Sequence, residues 1–140
     1  MIYTNNKTKN YSLLVIKPDA VKRELESEIV KILKDNNFII RDRKKLIMTE
    51  KDIMILYHES REEKHFSLLI EYLNGETIIA LRLEKENCVG DLNTIVGQTD
   101  PQKAAKGTIR SIFGIDILKN SVHSSNDNRV DIELELIFNK

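Results

Sequence analysis

The sequence has little that would indicate a secreted, membrane or nucleic-acid-binding protein. Its one cysteine, Cys88, cannot form an internal disulfide, which favours a reducing compartment. The 22 basic and 22 acidic residues cancel, so there is no basic excess of the kind that binds nucleic acid. The polar start lacks the apolar run of a signal peptide, and no apolar stretch approaches the length of a membrane span. We therefore expect a cytoplasmic protein that binds neither a membrane nor a specific nucleic acid.

The chain also lacks internal repeats and any linker rich in proline, glycine or serine. Its 140 residues and 41% hydrophobic content suit one buried core. We expect a single domain over residues 1–140, in which residues 1–10 form a polar N-terminal extension.

Short apolar runs and helical spacings predict most of the secondary structure. Strands are predicted at 11–16, at 77–83 and, more weakly, from 38 to 48. Helices are predicted within 24–36, 53–57, 66–73 and 89–96. Thr49 and Asp52 have the spacing of a capping box at the start of the second helix. The segment 98–120 shows no clear periodicity, and long irregular segments in compact domains are usually functional or disordered.

The last element is ambiguous. Val130, Ile132 and Leu134 alternate as in a strand, while Val130, Leu134 and Ile137 fit one face of a helix equally well. If residues 121–123 form a short fourth strand, the order contains two βαβ-type units. That order predicts the α+β class, with helices on one face of a mostly antiparallel sheet.

His123 has the most suggestive context of the three histidines. It follows the irregular segment in NSVHSSND, between small hydroxyl and amide side chains. Ser125 could tune an imidazole or cap the last element. Serine, histidine and aspartate occur together here, but a hydrolase triad also needs spatial proximity and an oxyanion hole.

Phosphate and metal binding have no strong local motif. Neither glycine-rich phosphate cradle is present, and no histidine or cysteine spacing predicts a metal held by the protein itself. Lys17 at the end of the first strand, and Thr99 and Arg110 in the irregular segment, could hold phosphate. A lysine or arginine in such a place is more often solvated, so each residue alone is a weak signal.

Together, several stretches resemble the nucleoside diphosphate kinases in order and spacing. They are LLVIKPDAVKR, SEIVKIL, TDP followed by KGTIR, FGID and NSVHSSND, and the resemblance runs from about Tyr11 to Phe138. It implies a ferredoxin-like α/β sandwich with a four-stranded, mostly antiparallel sheet, helices packed on it and a helical last element. It also implies transfer of the terminal phosphate from a nucleoside triphosphate such as ATP to a nucleoside diphosphate. The Mg²⁺ that this requires would be bound mainly through the nucleotide phosphates, and the protein would be a homo-oligomer, either a hexamer or a tetramer.

The resemblance implies a ping-pong mechanism through a phosphohistidine. His123 would carry the phosphate on one ring nitrogen, and a neutral imidazole suits this role because free histidine titrates near pH ~6.5. Glu133 would accept a hydrogen bond from the other nitrogen, and Ser125 would lie beside the transferring group. Tyr57 would lie close to Lys17 and the histidine.

The resemblance also implies how the nucleotide is held. Lys17 and Arg110 would neutralise phosphate charge, which is how proteins mostly catalyse phosphoryl transfer. Thr99 would bind a phosphate, and Asn120 with Lys17 would hold the sugar hydroxyls. The full set implied to bind nucleotide is Lys17, Tyr57, His65, Leu69, Asn93, Thr99, Arg110, Ile117 and Asn120, with Leu69 and Ile117 lining the base slot.

The sequence departs from the family pattern at several of these positions. His65 stands where an aromatic residue usually stacks on the base, and Asn93 stands where an arginine usually contacts phosphate. Ser124 replaces a glycine, Asn126 an acidic residue and Lys106 a proline. These departures predict weaker nucleotide affinity and altered oligomer packing.

Two other functions stay open at this stage. One is a phosphohistidine signalling protein or protein kinase of the same fold with weak nucleotide exchange. The other is a regulatory domain without activity. Retention of Lys17, Arg110, Asn120 and His123 argues against the second, because a bare scaffold does not require that set.

Overall fold

A four-stranded antiparallel sheet lies at the centre of the computed structural model, which describes residues 7–139. Its strands are β1 (Tyr11–Ile16), β2 (Ile39–Ile47), β3 (Thr77–Glu84) and β4 (Val122–Ser124). They lie in the order β2-β3-β1-β4, and each neighbouring pair is antiparallel. This order is the ferredoxin-like arrangement, so the predicted fold class is confirmed.

Helices connect the strands and follow the last one. They are α1 (Pro18–Lys22), α2 (Glu26–Asp35), α3 (Glu50–Leu56), α4 (Phe66–Leu73), α5 (Cys88–Val96), α6 (Ile109–Phe113) and α7 (Val130–Phe138). The Thr49–Asp52 capping box is present at the start of α3, as predicted. Among the described residues no helix has both the length and the apolar content needed to cross a bilayer.

Buried side chains cover both faces of the sheet. In β1, Leu14 and Ile16 belong to one apolar cluster, and Leu13 and Val15 belong to another. Helices α2 and α5 contribute to the first cluster, whereas α3, α4 and α7 contribute to the second. The prediction of helices on one face only is therefore wrong. A strand that is apolar at consecutive positions needs cover on both sides.

The last element is a helix, as the family resemblance implies. Val130 and Ile137 are fully buried and Leu134 is nearly so, while Ile132 is half exposed. The helical face is thus the one that packs on the sheet.

Two short helices were not predicted from the sequence. Pro18 ends β1, as expected, but it also occupies the first turn of α1, where proline is well tolerated. Within the segment expected to be mostly irregular, Thr108 caps α6, and Ile109 is fully buried. Helices of five residues are too short to produce a readable period.

The predicted N-terminal extension is described only in part, because residues 1–6 lie outside the described range. Thr8 donates hydrogen bonds to Asn87 Oδ1 through both its backbone nitrogen and its hydroxyl. The Lys9 backbone nitrogen donates to Asp127. Residues 8 and 9 therefore lie against the start of α5 and the turn before α7.

Candidate active site

A cavity of about 760 Å³ lies beside the end of β1 and the whole of β4. Every predicted site residue except Ser125 lines it. Those residues are Lys17, Tyr57, His65, Leu69, Asn93, Thr99, Arg110, Ile117, Asn120, His123 and Glu133. The fold thus brings together side chains that are spread over more than 110 positions of sequence.

His123 lies in the middle of β4, paired with Val15 of β1. Its Nε2 is 2.8 Å from Glu133 Oε1, and a carboxylate can only accept, so in the neutral ring Nε2 carries the proton. Nδ1 then presents a lone pair, and no described residue hydrogen-bonds to it. The ring centroid lies 4.8 Å from that of Tyr57. Burial strongly raises the pKa of Tyr57, which keeps this phenol neutral.

Glu133 projects from α7 and is almost completely buried. Its Oε1 accepts a second hydrogen bond from Ser125 Oγ at 2.8 Å. Ser125 is also buried and does not line the cavity. The structure therefore places Ser125 behind the Glu133 carboxylate and not at the cavity wall.

Lys17 follows β1 directly and is 3% exposed. Its Nζ donates to the Leu118 carbonyl at 2.6 Å and to Asn120 Oδ1 at 3.0 Å, and lies 5.9 Å from the Tyr57 ring centre. Burial removes water from the ammonium and lowers the pKa of Lys17 to about 8, and the carboxylates of Asp19 and Asp116 offset only part of this effect.

Arg110 lies in the first turn of α6 and is held by backbone carbonyls. Its Nη1 donates to Gly97 O at 3.1 Å and its Nη2 to Val122 O at 2.8 Å. Its Nε is buried without a hydrogen-bond partner in the described structure. Burial lowers the pKa of Arg110. This guanidinium and the Lys17 ammonium are therefore two cations at the cavity wall whose hydrogen-bond acceptors are neutral oxygens.

The apolar part of the cavity lies between α4 and the segment after α6. Leu69 and Ile117 line it, as the resemblance implies, and Leu68 and Ile115 line it as well, although the sequence reading missed them. Ile117 is 60% exposed, so this side is open to solvent. His65, just before α4, is also exposed.

The amide of Asn93 contacts the strand that carries the histidine. Its Oδ1 accepts from Ser124 Oγ at 2.6 Å, and its Nδ2 donates to Ser125 O at 3.3 Å. Two departures from the family pattern, Asn93 and Ser124, are therefore direct partners. The loop lysines Lys103 and Lys106 do not line the cavity, so neither supplies the positive charge of the arginine that the family usually has in place of Asn93.

Arg129 lines the cavity and was missed by the sequence reading. Its Nε lies 3.8 Å from Glu133 Oε2, four residues further along α7. Once the last element is taken as a helix, this i,i+4 spacing is a signal that could have indicated the pair.

Comparisons with known proteins agree with this geometry. The family model for nucleoside diphosphate kinase matches residues 10–140. The nucleoside diphosphate kinase of Lawsonia intracellularis is 36% identical over 130 residues, covering 92% of this chain and 94% of the relative. That of Pasteurella multocida is 41% identical over 114 residues, covering 81% and 82%.

Solved structures give the same result. A halophilic nucleoside diphosphate kinase from Halobacterium salinarum, in complex with CDP, matches with a TM-score of 0.88 and 26% identity, covering 95% of this chain and 89% of that one. The Aquifex aeolicus nucleoside diphosphate kinase matches with a TM-score of 0.83 and 28% identity, covering 89% and 92%. All four proteins are named nucleoside diphosphate kinase, which favours that function over the signalling alternative. The chain belongs to the nucleoside diphosphate kinase family.

Proposed function

We propose that this chain is a nucleoside diphosphate kinase whose covalent intermediate is a phosphate on Nδ1 of His123. One observation carries the assignment of the atom: Glu133 engages Nε2, and none of residues 7–139 hydrogen-bonds to Nδ1, on a ring that lines the cavity. Of the two ring nitrogens, only Nδ1 then offers a lone pair to an incoming phosphorus.

The reaction divides into two similar displacements. The Nδ1 lone pair attacks the terminal phosphorus of the triphosphate, the bond to the bridging oxygen breaks, and the diphosphate leaves with that electron pair. A terminal oxygen of a second diphosphate then attacks the same phosphorus and breaks the P–N bond. The phosphorylated ring gains positive character, which the Glu133 carboxylate stabilises through Nε2–H.

Cations that the protein already holds in place before the nucleotide binds would offset the negative charge that moves during phosphate transfer. Lys17 and Arg110 are held by neutral acceptors, so their charge is available to phosphate oxygens. Such fixed charges stabilise a loose transition state without reorganising during the reaction. Tyr57 packs on the histidine ring and restricts its orientation.

Mg²⁺ fits this site as a companion of the nucleotide. Among the described residues no group of three or more histidine, cysteine, aspartate or glutamate side chains is placed to hold a metal. The carboxylates of Glu59, Asp100 and Asp116 line the cavity, and we infer that phosphate oxygens and water would supply most ligands. When bound, Mg²⁺ would neutralise the part of the phosphate charge that Lys17 and Arg110 do not.

The base, the sugar and the cellular setting complete the proposal. Leu69 and Ile117 would hold the base mainly by apolar contact, which all common bases can make. Asn120, whose Oδ1 accepts from Lys17, would contact the sugar with it, and Thr99 would contact a phosphate. We further propose that the enzyme works in the cytoplasm as a homo-oligomer.

The decisive experiment follows a labelled phosphate. The protein should take label from a triphosphate labelled at its terminal phosphate, in an acid-labile form, and lose it to any added nucleoside diphosphate. His123→Ala should abolish both steps. His58→Ala, which removes another histidine at the cavity wall, should keep them. Label that persists in His123→Ala would overturn the assignment.

A further inference from the structure

Arg129 occupies a position that local rules disfavour. It precedes the first residue of α7, where serine, threonine, aspartate or asparagine would cap the helix, and its side chain makes no capping bond. A cation there also meets the positive end of the helix dipole. Residues that break a local rule are often held by a tertiary contact that matters for the site.

The contacts of Arg129 centre on the catalytic carboxylate. Nη2 donates to the Ile55 carbonyl of α3 at 2.8 Å, which fixes the end of the side chain. Nε lies 3.8 Å from Glu133 Oε2, while the other oxygen, Oε1, bonds His123 and Ser125. The two side chains are 16% and 3% exposed. A carboxylate this deeply buried is costly unless a charge partner is close.

We propose that Arg129 is a positioning residue that holds Glu133 ionised and oriented towards Nε2, and whose positive charge disfavours the extra proton that would make His123 non-nucleophilic. The inference rests on the proposed role of His123 and adds a residue to it. Arg129 acts through the carboxylate, since its close contacts are Glu133 and the Ile55 carbonyl and not the reacting ring.

The sign of the effect follows from charge. The nucleophilic state pairs a neutral ring with an ionised carboxylate, and an added proton cancels that negative charge. A neighbouring guanidinium makes the extra proton less favourable. The other titratable or charged groups that line the cavity with His123 are Lys17, Tyr57, His58, Glu59, Glu63, His65, Asp100, Arg110, Asp116 and Glu133. All of these remain when Arg129 alone is changed.

The test replaces the charge and follows proton binding directly. In Arg129→Gln, the acidic limb of kcat/KM for the triphosphate should move up by about 0.5–1 pH unit. The NMR titration of the His123 ring, assigned against His123→Ala and measured without nucleotide, should move by the same amount. Arg129→Lys keeps a cation and should shift by less than half as much. Arg129→Met gives the same neutral test if Arg129→Gln does not fold.

Arg23→Gln is the matched control. Arg23 also donates to a carbonyl, that of Phe113, and carries the same charge, but it does not line the cavity. Its substitution should leave both curves in place.

An unmoved ring titration in Arg129→Gln, with a raised KM, would show direct phosphate binding and overturn the proposal. An unmoved titration with only lower stability would overturn it in favour of a structural anchor. A parent protein that forms no phosphoenzyme would contradict the proposed function, yet the ring titration would still decide the role of Arg129.

Discussion

At the scale of single residues, the site relies on cations that are buried beside neutral partners. Lys17 and Arg110 are held by carbonyl and amide oxygens, not by carboxylates. Under the proposed function this arrangement keeps their charge for the substrate. It also makes the free protein less stable, because each cation loses water without gaining an ion pair among the described residues. This loss of stability should make the free energy of unfolding depend on pH.

For Lys17 we predict opposite trends in activity and stability above pH 8. Its pKa of about 8 in the folded protein lies below the ordinary 10.5, so kcat/KM should fall as pH rises through about 8 and the ammonium is lost. Between those two values the unfolded chain binds more protons than the folded one, so the contribution of Lys17 to stability should rise with pH. Urea unfolding and steady-state kinetics from pH 7 to 10.5 measure both.

Two lysine variants provide the controls for this prediction. Lys17→Met should lack the Lys17 part of the stability gain. Lys22→Met, an exposed lysine of α1, should leave both curves unchanged. A stability curve in Lys17→Met with the same slope as the parent would contradict the role given to this lysine.

Asn93 and Ser124 predict a coupled effect. Asn93→Arg alone would restore a cation but break the bond to Ser124 Oγ, whereas Asn93→Arg with Ser124→Gly also removes the stranded hydroxyl. A charge-assisted hydrogen bond contributes about 1.5–3 kcal/mol, roughly a tenfold to hundredfold change in affinity. We expect the double variant to raise kcat/KM towards that range and the single variant to gain less.

The salt dependence of kcat/KM checks the charge in this prediction. Because added salt screens exposed charges, the gain should shrink as ionic strength rises. Ser124→Gly alone is the control, since it breaks the same bond without adding charge. Equal gains in single and double variants would show that the Asn93–Ser124 bond does not limit the site.

At the scale of elements, the segment between α5 and β4 is shaped by its glycines. Gly97 has φ +91°, and a Cβ there would lie 2.5 Å from Thr108 Oγ1, the cap of α6. Gly107 has the same φ, but a Cβ there would meet nothing within 4 Å. The two positions therefore separate backbone strain from crowding.

We predict that Gly107→Ala loses about 1–3 kcal/mol of unfolding free energy from strain alone. Gly97→Ala should lose about 1–3 kcal/mol more, because the new methyl group must displace Thr108. Since Arg110 bonds the Gly97 carbonyl, Gly97→Ala should also raise the KM for nucleotide, and Gly107→Ala should not. Denaturant unfolding and initial rates measure both, and equal losses in the two variants would contradict the crowding argument.

At the scale of the whole molecule, large apolar side chains remain uncovered. Ile112 and Ile115, after the start of α6, are 51% and 54% exposed. An apolar surface of this kind is often an association surface. We predict a homo-oligomer in dilute solution, stabilised in part by the segment 98–120.

Light scattering of two matched variants tests this prediction. Ile112→Glu places a charge on the proposed contact and should lower the measured mass towards the 16.2 kDa of one chain. Leu68→Glu, at a similarly exposed residue of α4, should leave the mass unchanged. A parent protein that is already monomeric at micromolar concentration would rule out the assembly.

Much of this architecture is readable along the chain. The capping box at Thr49, the apolar run of β1 and the helical spacing of α2, α4 and α5 are local patterns, and each was predicted where it occurs. The motif around His123 and the stretch at Lys17 indicated the family and, with it, the chemistry. Local periodicity and short motifs are sufficient for such features, because neighbouring residues alone determine them.

Only the tertiary structure decided the rest. It confirmed the helix α7, which the resemblance implied and periodicity left open, and showed that its buried face includes Val130 and Ile137. It also showed that helices cover both faces of the sheet and that Ser125 bonds Glu133 from behind. It also joined Asn93 to Ser124 and placed Arg129 beside Glu133. A period of two and a period of 3.6 can coincide over nine residues, and packing against β1 is what separates them. The charge partners of a buried residue come from distant parts of the chain, so the sequence determined which groups are present and the fold determined which of them act together.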